Sequence, residues 1–585
     1  MARRRGGAAT MAGAVLGAQL LVAGAAGAQQ SVVGGFEDAS VPARGEARLR
    51  FGVIFEGASD QFGGVSGREG STRVPLGARL SFDSLGAARF PTVFGVQSTL
   101  RDEVGVATGL TLGTATTDLR TLVSRVPFQL DFGVTRRLSR GVTIPIVRTN
   151  SSVNLRVNPG GTTGNLGFNP ANSTPTSGDN AAAAQQDALV QQQFKRAADS
   201  LASLVKSCPA VADPTTPAGC APIIANRAGA SQLVSTARAV AGGLAKVYGA
   251  GTTDSQGALL VPIQGTDAQR AVEARIKALG TQFAAFSVND LATPALPFAA
   301  TARIAAAGLQ RILTEEAFGL QADSVRGVAL QGTGDVELAA NAMWLDTFGP
   351  PNAAQRTGLR VRSTIGAGYR LATGSEDASF FLFDVPTGSG GRALLFRSAT
   401  DIAVGRLWLT VVAHADSPFS RQLVVRVPFG AGEALAPAAN ELTADAKTGR
   451  RIDIEITPRW ALSQSFAVAA QYARHSKQAD QYTGTITGID ATGAAATVDA
   501  SLLGVGTGGT AQLAGFGITY STLSAFAHGR TWVPVEVSYL QATTFGGSGG
   551  VVPITRYHQL AVRVYAQMFG ASARRPAGTP APQSR

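Results

Sequence analysis

The chain has 585 residues, a formal net charge of +12, 70 glycines, 45% hydrophobic residues and only 15% charged ones. A soluble enzyme carries about 25% charge, and beyond the N-terminus no apolar run approaches the roughly 20 residues that a membrane helix needs. Removing the three arginines of residues 1–28 and the three of 571–585 leaves +6 over the long middle, too dilute for nucleic-acid binding, which clusters Lys and Arg on one face.

Arg3, Arg4 and Arg5 precede an apolar run from Met11 to Ala26, and Ala26-Gly27-Ala28 stands before Gln29. This is the pattern of a cleaved signal peptide over 1–28, so export is expected. Residues 29–44 are polar and aperiodic, and read as a short periplasmic lead-in. From Glu46 to Gly57, Ala47, Leu49, Phe51, Val53 and Phe55 share one face, with Glu46, Arg48 and Arg50 on the other. Period two is the signature of a strand. Thr72–Asp83 alternates similarly, with Val74, Leu76, Ala78, Leu80 and Phe82 against Arg73, Gly77 and Arg79. Residues 92–118 are less regular and read as one long strand or two short ones. Val126–Val134 and Gly141–Val147, joined by Thr135–Arg140, predict a hairpin.

Residues 159–331 change character. Pro/Gly/Asn/Thr-rich sequence gives way to apolar residues at three- and four-residue spacing (Val190, Phe194, Ala197, Leu201), with Asp179 as an N-cap. Further helices are expected around Leu233–Val247, Val272–Phe283 and Ile304–Leu320. This segment is a helical insert, an outer loop that caps or plugs. Cys208 and Cys220, twelve apart in an exported chain, are expected to form a disulfide.

Strand patterning resumes at Gly332 and continues through Leu359–Leu371, Arg392–Ala413 (one tilted strand or two short ones), Ser420–Phe429, Arg451–Trp460, Phe466–Tyr472, Gln512–Ser521 and Thr531–Thr543. The last strand, Arg556–Phe569, has Leu560, Val562, Val564, Ala566 and Met568 on one register and Gln559, Arg563 and Gln567 on the other. Residues 571–585 are Pro/Arg-rich and read as a disordered tail. Diffuse alternation without spanning helices is what a transmembrane β-barrel produces. The expected architecture is an all-β transmembrane barrel of about 14 antiparallel strands, within roughly 12–16. Residues 29–158 form its first part and 332–570 its second. Short and long links alternate, so both termini fall on the periplasmic side, the insert on the outer side, and the last strand pairs with Glu46–Gly57 to close the barrel.

Phe132-Gly133-Val134-Thr135-Arg136-Arg137-Leu138-Ser139-Arg140-Gly141-Val142-Thr143-Ile144-Pro145 resembles a hairpin of transporter-like outer-membrane barrels of the phenol meta-cleavage-pathway type. Gly334-Asp335-Val336-Glu337-Leu338 and Gly366-Ala367-Gly368-Tyr369-Arg370-Leu371-Ala372-Thr373-Gly374 resemble two further strands of that family. Ala372 stands where the family usually has proline, and the helical insert is a second departure. The resemblance implies passive uptake of small, often aromatic or apolar compounds. It assigns no ligand-binding residue.

Four histidines (His414, His475, His528 and His558) lie far apart, without metal-ligand spacing. Gly504–Gly509 lacks the Lys-Ser/Thr that completes a phosphate loop. No strand-to-helix G-x-S-x-G elbow and no H-E-x-x-H motif appears, so no enzyme, catalytic residue, metal or cofactor is expected. The less apolar strand registers carry Arg48, Arg50, Arg79, Asp453, Glu455, Arg459 and Arg563 as lumen-lining candidates. They either set a transverse field in a pore or form salt bridges that fill a closed lumen. Trp344, Trp408, Trp460, Trp532, Tyr472, Tyr539 and Tyr565 are candidates for interfacial girdles. The leading expectation is an outer-membrane barrel of a Gram-negative-type bacterium that passes small molecules. The alternatives are a closed barrel anchor displaying the insert as a binding module, and a soluble β-sandwich with a helical domain. Expected partners are outer-membrane lipid, an unidentified small solute and the barrel-assembly machinery, and no nucleic acid.

Overall fold

Alternating side chains fold most of the chain into one antiparallel sheet that closes on itself. The computed structural model describes residues 37–63, 70–161, 163–172, 178–249, 257–289, 291, 299–348, 358–375, 379–382, 387–550 and 552–567. The expected signal peptide, the tail and Met568–Phe569 lie outside these residues. Twelve strands make the wall: β1 (Glu46–Phe62), β2 (Ala115–Gly133), β3 (Leu138–Val157), β4 (Glu337–Asp346), β5 (Arg360–Arg370), β6 (Ala393–Val404), β7 (Leu407–Pro418), β8 (Arg451–Ala461), β9 (Phe466–Lys477), β10 (Gly509–Ser521), β11 (Val535–Gly549) and β12 (Val552–Gln567). Each pairs with its sequence neighbour, and β1 pairs on one side with β2 (Ala47 opposite Phe132) and on the other with β12 (Glu46 opposite Gln567). Closure leaves the wall without a free edge, which is the condition for a sheet to cross a lipid bilayer.

The pleat sorts side chains by face. On β12, Leu560, Val562 and Val564 point outward, and Gln559, Ala561 and Arg563 point inward and are buried. Outward apolar residues such as Phe516 (60% exposed) and Leu560 (43%) form a band around the wall. At the end carrying the short turns, Trp344, Trp460, Phe466 and Tyr520 are exposed, and the last two rings lie 5.0 Å apart. Trp408 and Tyr565 differ from the girdle expectation, since both line a cavity inside that end.

Several expected strands are something else, and the reasons are physical. Within Thr72–Asp83 only Arg73–Pro75 is a strand, and Leu76–Leu80 is a 3-10 turn. Its apolar residues are buried in the core beneath the insert, with Leu76, Leu80 and Phe82 all covered. Residues 92–118 hold α1 (Pro91–Thr99) and a π-turn (Leu100–Val104) before β2 starts. Residues 392–413 make two strands, turning at Gly405 (φ 56°) and Arg406, and His414–Ser417, between the expected strands Arg392–Ala413 and Ser420–Phe429, belongs to β7. Arg421–Arg426, within the expected strand Ser420–Phe429, instead joins Glu441–Lys447 and Gln481–Thr483 in a separate three-stranded sheet. The connection between the expected strands Thr531–Thr543 and Arg556–Phe569 is tight, because β11 runs to Gly549 and β12 begins at Val552.

The long β2–β3 hairpin pairs from Gly133/Ser139 out to Ala115/Val157. Its strands exceed the roughly 9–11 residues that span a bilayer, and the excess projects at the far end. There it packs on the helical insert: α2 (Gly178–Ser207), α3 (Arg227–Tyr248), α4 (Asp267–Ala285) and α5 (Ala306–Thr314). Phe90, Val93, Leu119, Phe194, Leu201, Val240, Leu244 and Leu279 share one apolar core. Helix α2 starts at Gly178, which puts Asp179 inside the first turn. Asn226 caps α3, its side chain accepting from Gly229 N at 2.9 Å. A disulfide joins Cys208 to Cys220, and Arg227 donates to the carbonyls of Cys208 and Pro209 at 2.7 Å each. The cross-link thereby closes the hairpin between α2 and α3.

Candidate lumen site

The site begins with a chain reversal. Gly45, at φ 77°, takes a conformation that costs an L side chain energy. Its N–H donates to Gly133 O at 2.9 Å, and a Cβ at Gly133 would meet Ala43 O at 2.0 Å. Glycine at both positions lets residues 37–44 turn from the start of β1 back into the barrel. The expected periplasmic lead-in is therefore, over residues 37–42, a strap inside the lumen.

The wall holds this strap through both backbone and side chains. Ala39 N donates to Asp401 Oδ2 at 3.0 Å, and Thr364 Oγ1 donates to Ala39 O at 2.6 Å. Arg397 Nε donates to Glu37 Oε2 at 2.8 Å, with His414 Nε2 3.3 Å from the same oxygen. Arg563 donates to Asp38 Oδ2 at 2.6 Å, and Arg48 to Ser40 Oγ at 2.9 Å. These groups come from β1, β5, β6, β7 and β12, so the strap ties opposite sides of the wall together.

Of the seven lumen candidates, Arg48, Arg50 and Arg563 converge around the strap. Arg48 also pairs with Asp131 at 3.0 Å, and Arg563 with Glu536 at 3.3 Å. Arg459 sits at the short-turn end, donating to Thr410 Oγ1 at 2.7 Å, and that hydroxyl donates to Asp401 at 2.8 Å. Asp453 and Glu455 face inward from β8. Asp453 is 2.8 Å from Arg451 and 2.7 Å from His475, and Glu455 accepts from Gln471 at 3.1 Å. Arg79 stands apart from the other six. It lies on the 3-10 turn packed against Thr117, past the last β1–β2 pair. Sequence reasoning missed Glu37, Asp38, Arg362, Arg397, Asp401 and His414. Arg397 and Asp401 sit on one register of β6, and strand alternation read within 392–413 would have found them; Glu37 and Asp38 carry no periodic signal.

The strap divides the lumen. A cavity of about 100 Å³ lies beside it, bounded by Arg50, Thr143, Asn341, Gly366, Gly368 and Arg397 among others. A vestibule of about 690 Å³ opens toward the short-turn end, lined by Val41, Arg362, Trp408, Arg459, Phe466, Phe526 and Tyr565. Asp38, Ser40 and Arg48 line both spaces. None of the residues lining either space comes from 159–331.

Two of the three stretches that carry the family resemblance, Gly334–Leu338 and Gly366–Gly374, have structural work near the far rim. Asp335 accepts from Gly374 N at 2.9 Å and from Ser389 N at 2.6 Å, while Thr373 Oγ1 donates to Gly334 O at 2.9 Å. These bonds knit the β3–β4 and β5–β6 connections into a latch.

No protein-family model and no curated protein matches the chain. Among solved structures, an outer membrane channel from Pseudomonas putida F1 is similar over 91% of this chain and 100% of its own, at 8% identity and a TM-score of 0.34. The Pseudomonas putida toluene transporter TodX is similar over 90% of this chain and 89% of its own, at 9% identity and 0.22. The translocator domain of autotransporter NalP from Neisseria meningitidis is similar over 93% and 92%, at 7% identity and 0.25. Scores this low carry no argument, and the barrel rests on the strand pairings themselves.

Proposed function

We propose that the chain is an exported outer-membrane barrel through which small molecules diffuse, with residues 37–42 holding the lumen closed at rest. The observation that carries this reading is the strap between two lumen spaces: beyond its chain connection at Gly45 it is held to the wall by polar contacts. The outward apolar band suits lipid contact. The vestibule supports a small, partly apolar or aromatic solute, since Trp408, Phe526 and Tyr565 line it beside Arg362 and Arg459. Passage requires no bond making or breaking. Planar-bilayer conductance and liposome swelling test the reading, with Gly133→Val as the variant that crowds Ala43 and displaces the strap. The variant is expected to raise conductance several-fold. If neither protein conducts or admits solutes, passage is abandoned.

A second reading is a closed anchor that displays the insert. It is favoured by the lumen beyond the strap, where Arg125 and Glu56 form a buried pair at 2.9 Å and the apolar core under the insert is continuous. Under that reading Gly133→Val leaves the bilayer silent.

A further inference from the structure

The strap presents two adjacent carboxylates to a wall that is cationic without them. Five arginines line the cavity beside it: Arg48, Arg50, Arg370, Arg397 and Arg563. The wall supplies three carboxylates to that lining, Asp131, Glu337 and Asp416, and two of these serve Arg370. Glu536 reaches Arg563 as well, and the wall still carries an excess of positive charge. With Glu37 and Asp38 in place, six carboxylates face the five arginines and His414, so the charges balance when that imidazole is protonated. A buried charge that lost its partner would be costly, so the wall calls for an anion whenever the strap is out.

The strap fills this place imperfectly. Glu37 Oε1 is buried without a hydrogen-bond partner among the described residues, although Oε2 meets both Arg397 and His414. A buried acceptor left unmade destabilises the docked strap. A carboxylate free to turn can offer both oxygens to a guanidinium, the stronger two-bond arrangement.

We propose that Arg397, His414, Arg563 and Arg48 form a binding site for a small carboxylate-bearing solute, and that Glu37 and Asp38 occupy it as an internal stand-in. The site rests on the lumen reading above and narrows the solute to an anion with a compact, partly apolar body. The solute displaces the strap by taking over its ion pairs, and the apolar residues of the vestibule meet the remainder of the molecule.

The test uses the full chain in detergent, with benzoate as the probe and benzyl alcohol as its uncharged counterpart, read by calorimetric titration. In the E37Q/D38N double variant, benzoate is expected to bind at least tenfold more tightly than to the unaltered protein. Benzyl alcohol should show no such gain, and R397Q added to the double variant should abolish it. No gain for benzoate, or an equal gain for benzyl alcohol, overturns the proposal. Heat-modifiable gel migration verifies the barrel in each variant. Should the double variant not fold, E37Q alone decides by the same criterion, with a gain of severalfold expected. Bilayer conductance is measured in parallel. A benzoate gain without conductance removes passage and leaves the site standing; conductance without a benzoate gain removes the site and leaves passage standing.

Discussion

Asp187 on α2 is buried, and neither of its carboxylate oxygens has a hydrogen-bond partner among the described residues. Burial pushes its pKa from 3.8 up to about 8, because the charged form loses its hydration. The folded insert therefore holds a proton that the unfolded chain releases at lower pH. Its contribution is fully present below pH 3.8 and is lost as pH rises through about 8. Thermal melting of the helical circular-dichroism signal should show the insert weakening over that window, and Asp187→Asn should flatten the trend. In the wall, Arg125→Met leaves the Glu56 carboxylate buried and unpaired by that guanidinium, at a cost of about 3–5 kcal/mol. Denaturant titration of the refolded barrel checks it. Arg48, Arg50 and Arg563 could be read from sequence because a strand sorts residues by parity. Glu37 and Asp38 could not, since an irregular segment shows in its sequence nothing of the wall it will meet.

The strands that were misread show why element-level patterns are ambiguous. Leu76, Leu80 and Phe82 satisfy alternation, but Leu76 and Leu80 are also one helical repeat apart, and the core under the insert claims them. Val93, Val96, Leu100 and Val104 carry spacings of three and four, a helical signal inside a segment read as strand. By contrast, the apolar register of β12 was legible and faces outward. Leu560→Arg on that register should cost about 2–4 kcal/mol if the residue lies near the bilayer midplane, and should reduce the heat-modifiable form in membranes. The link between α2 and α3 makes its own prediction. Replacing both Cys208 and Cys220 with serine reopens a short loop, which the loop-entropy model puts at about 3 kcal/mol. The loss should fall on the insert and spare the barrel, as hydrogen exchange resolved by segment would show.

At the scale of the whole molecule, closure depends on parity more than on any single strand. Two expected strands before β2 and one after β7 dissolved, and one segment split in two, yet β12 still meets β1 antiparallel. An even number keeps both ends of the wall on one side, and loop lengths record that constraint along most of the chain, the tight β11–β12 turn at the far end being the exception. The content of the lumen was not recorded there. It depends on the reversal at Gly45 and the close approach at Gly133, and both are single-residue features. Gly45→Val should loosen the strap as Gly133→Val does, by a different route, since strained φ replaces a direct clash. Matching rises in bilayer conductance from the two variants would trace the effect to the reversal they share.

The reversal also fixes how the strap competes. A segment hinged at Gly45, only a few residues from Asp38, cannot diffuse away when it leaves its seat. Its effective concentration near the seat is on the order of millimolar whatever the amount of protein present. Any entering molecule faces a rival that dilution never weakens. Half-saturation should therefore be independent of protein concentration, and raised above the intrinsic affinity by one constant factor that the hinge sets.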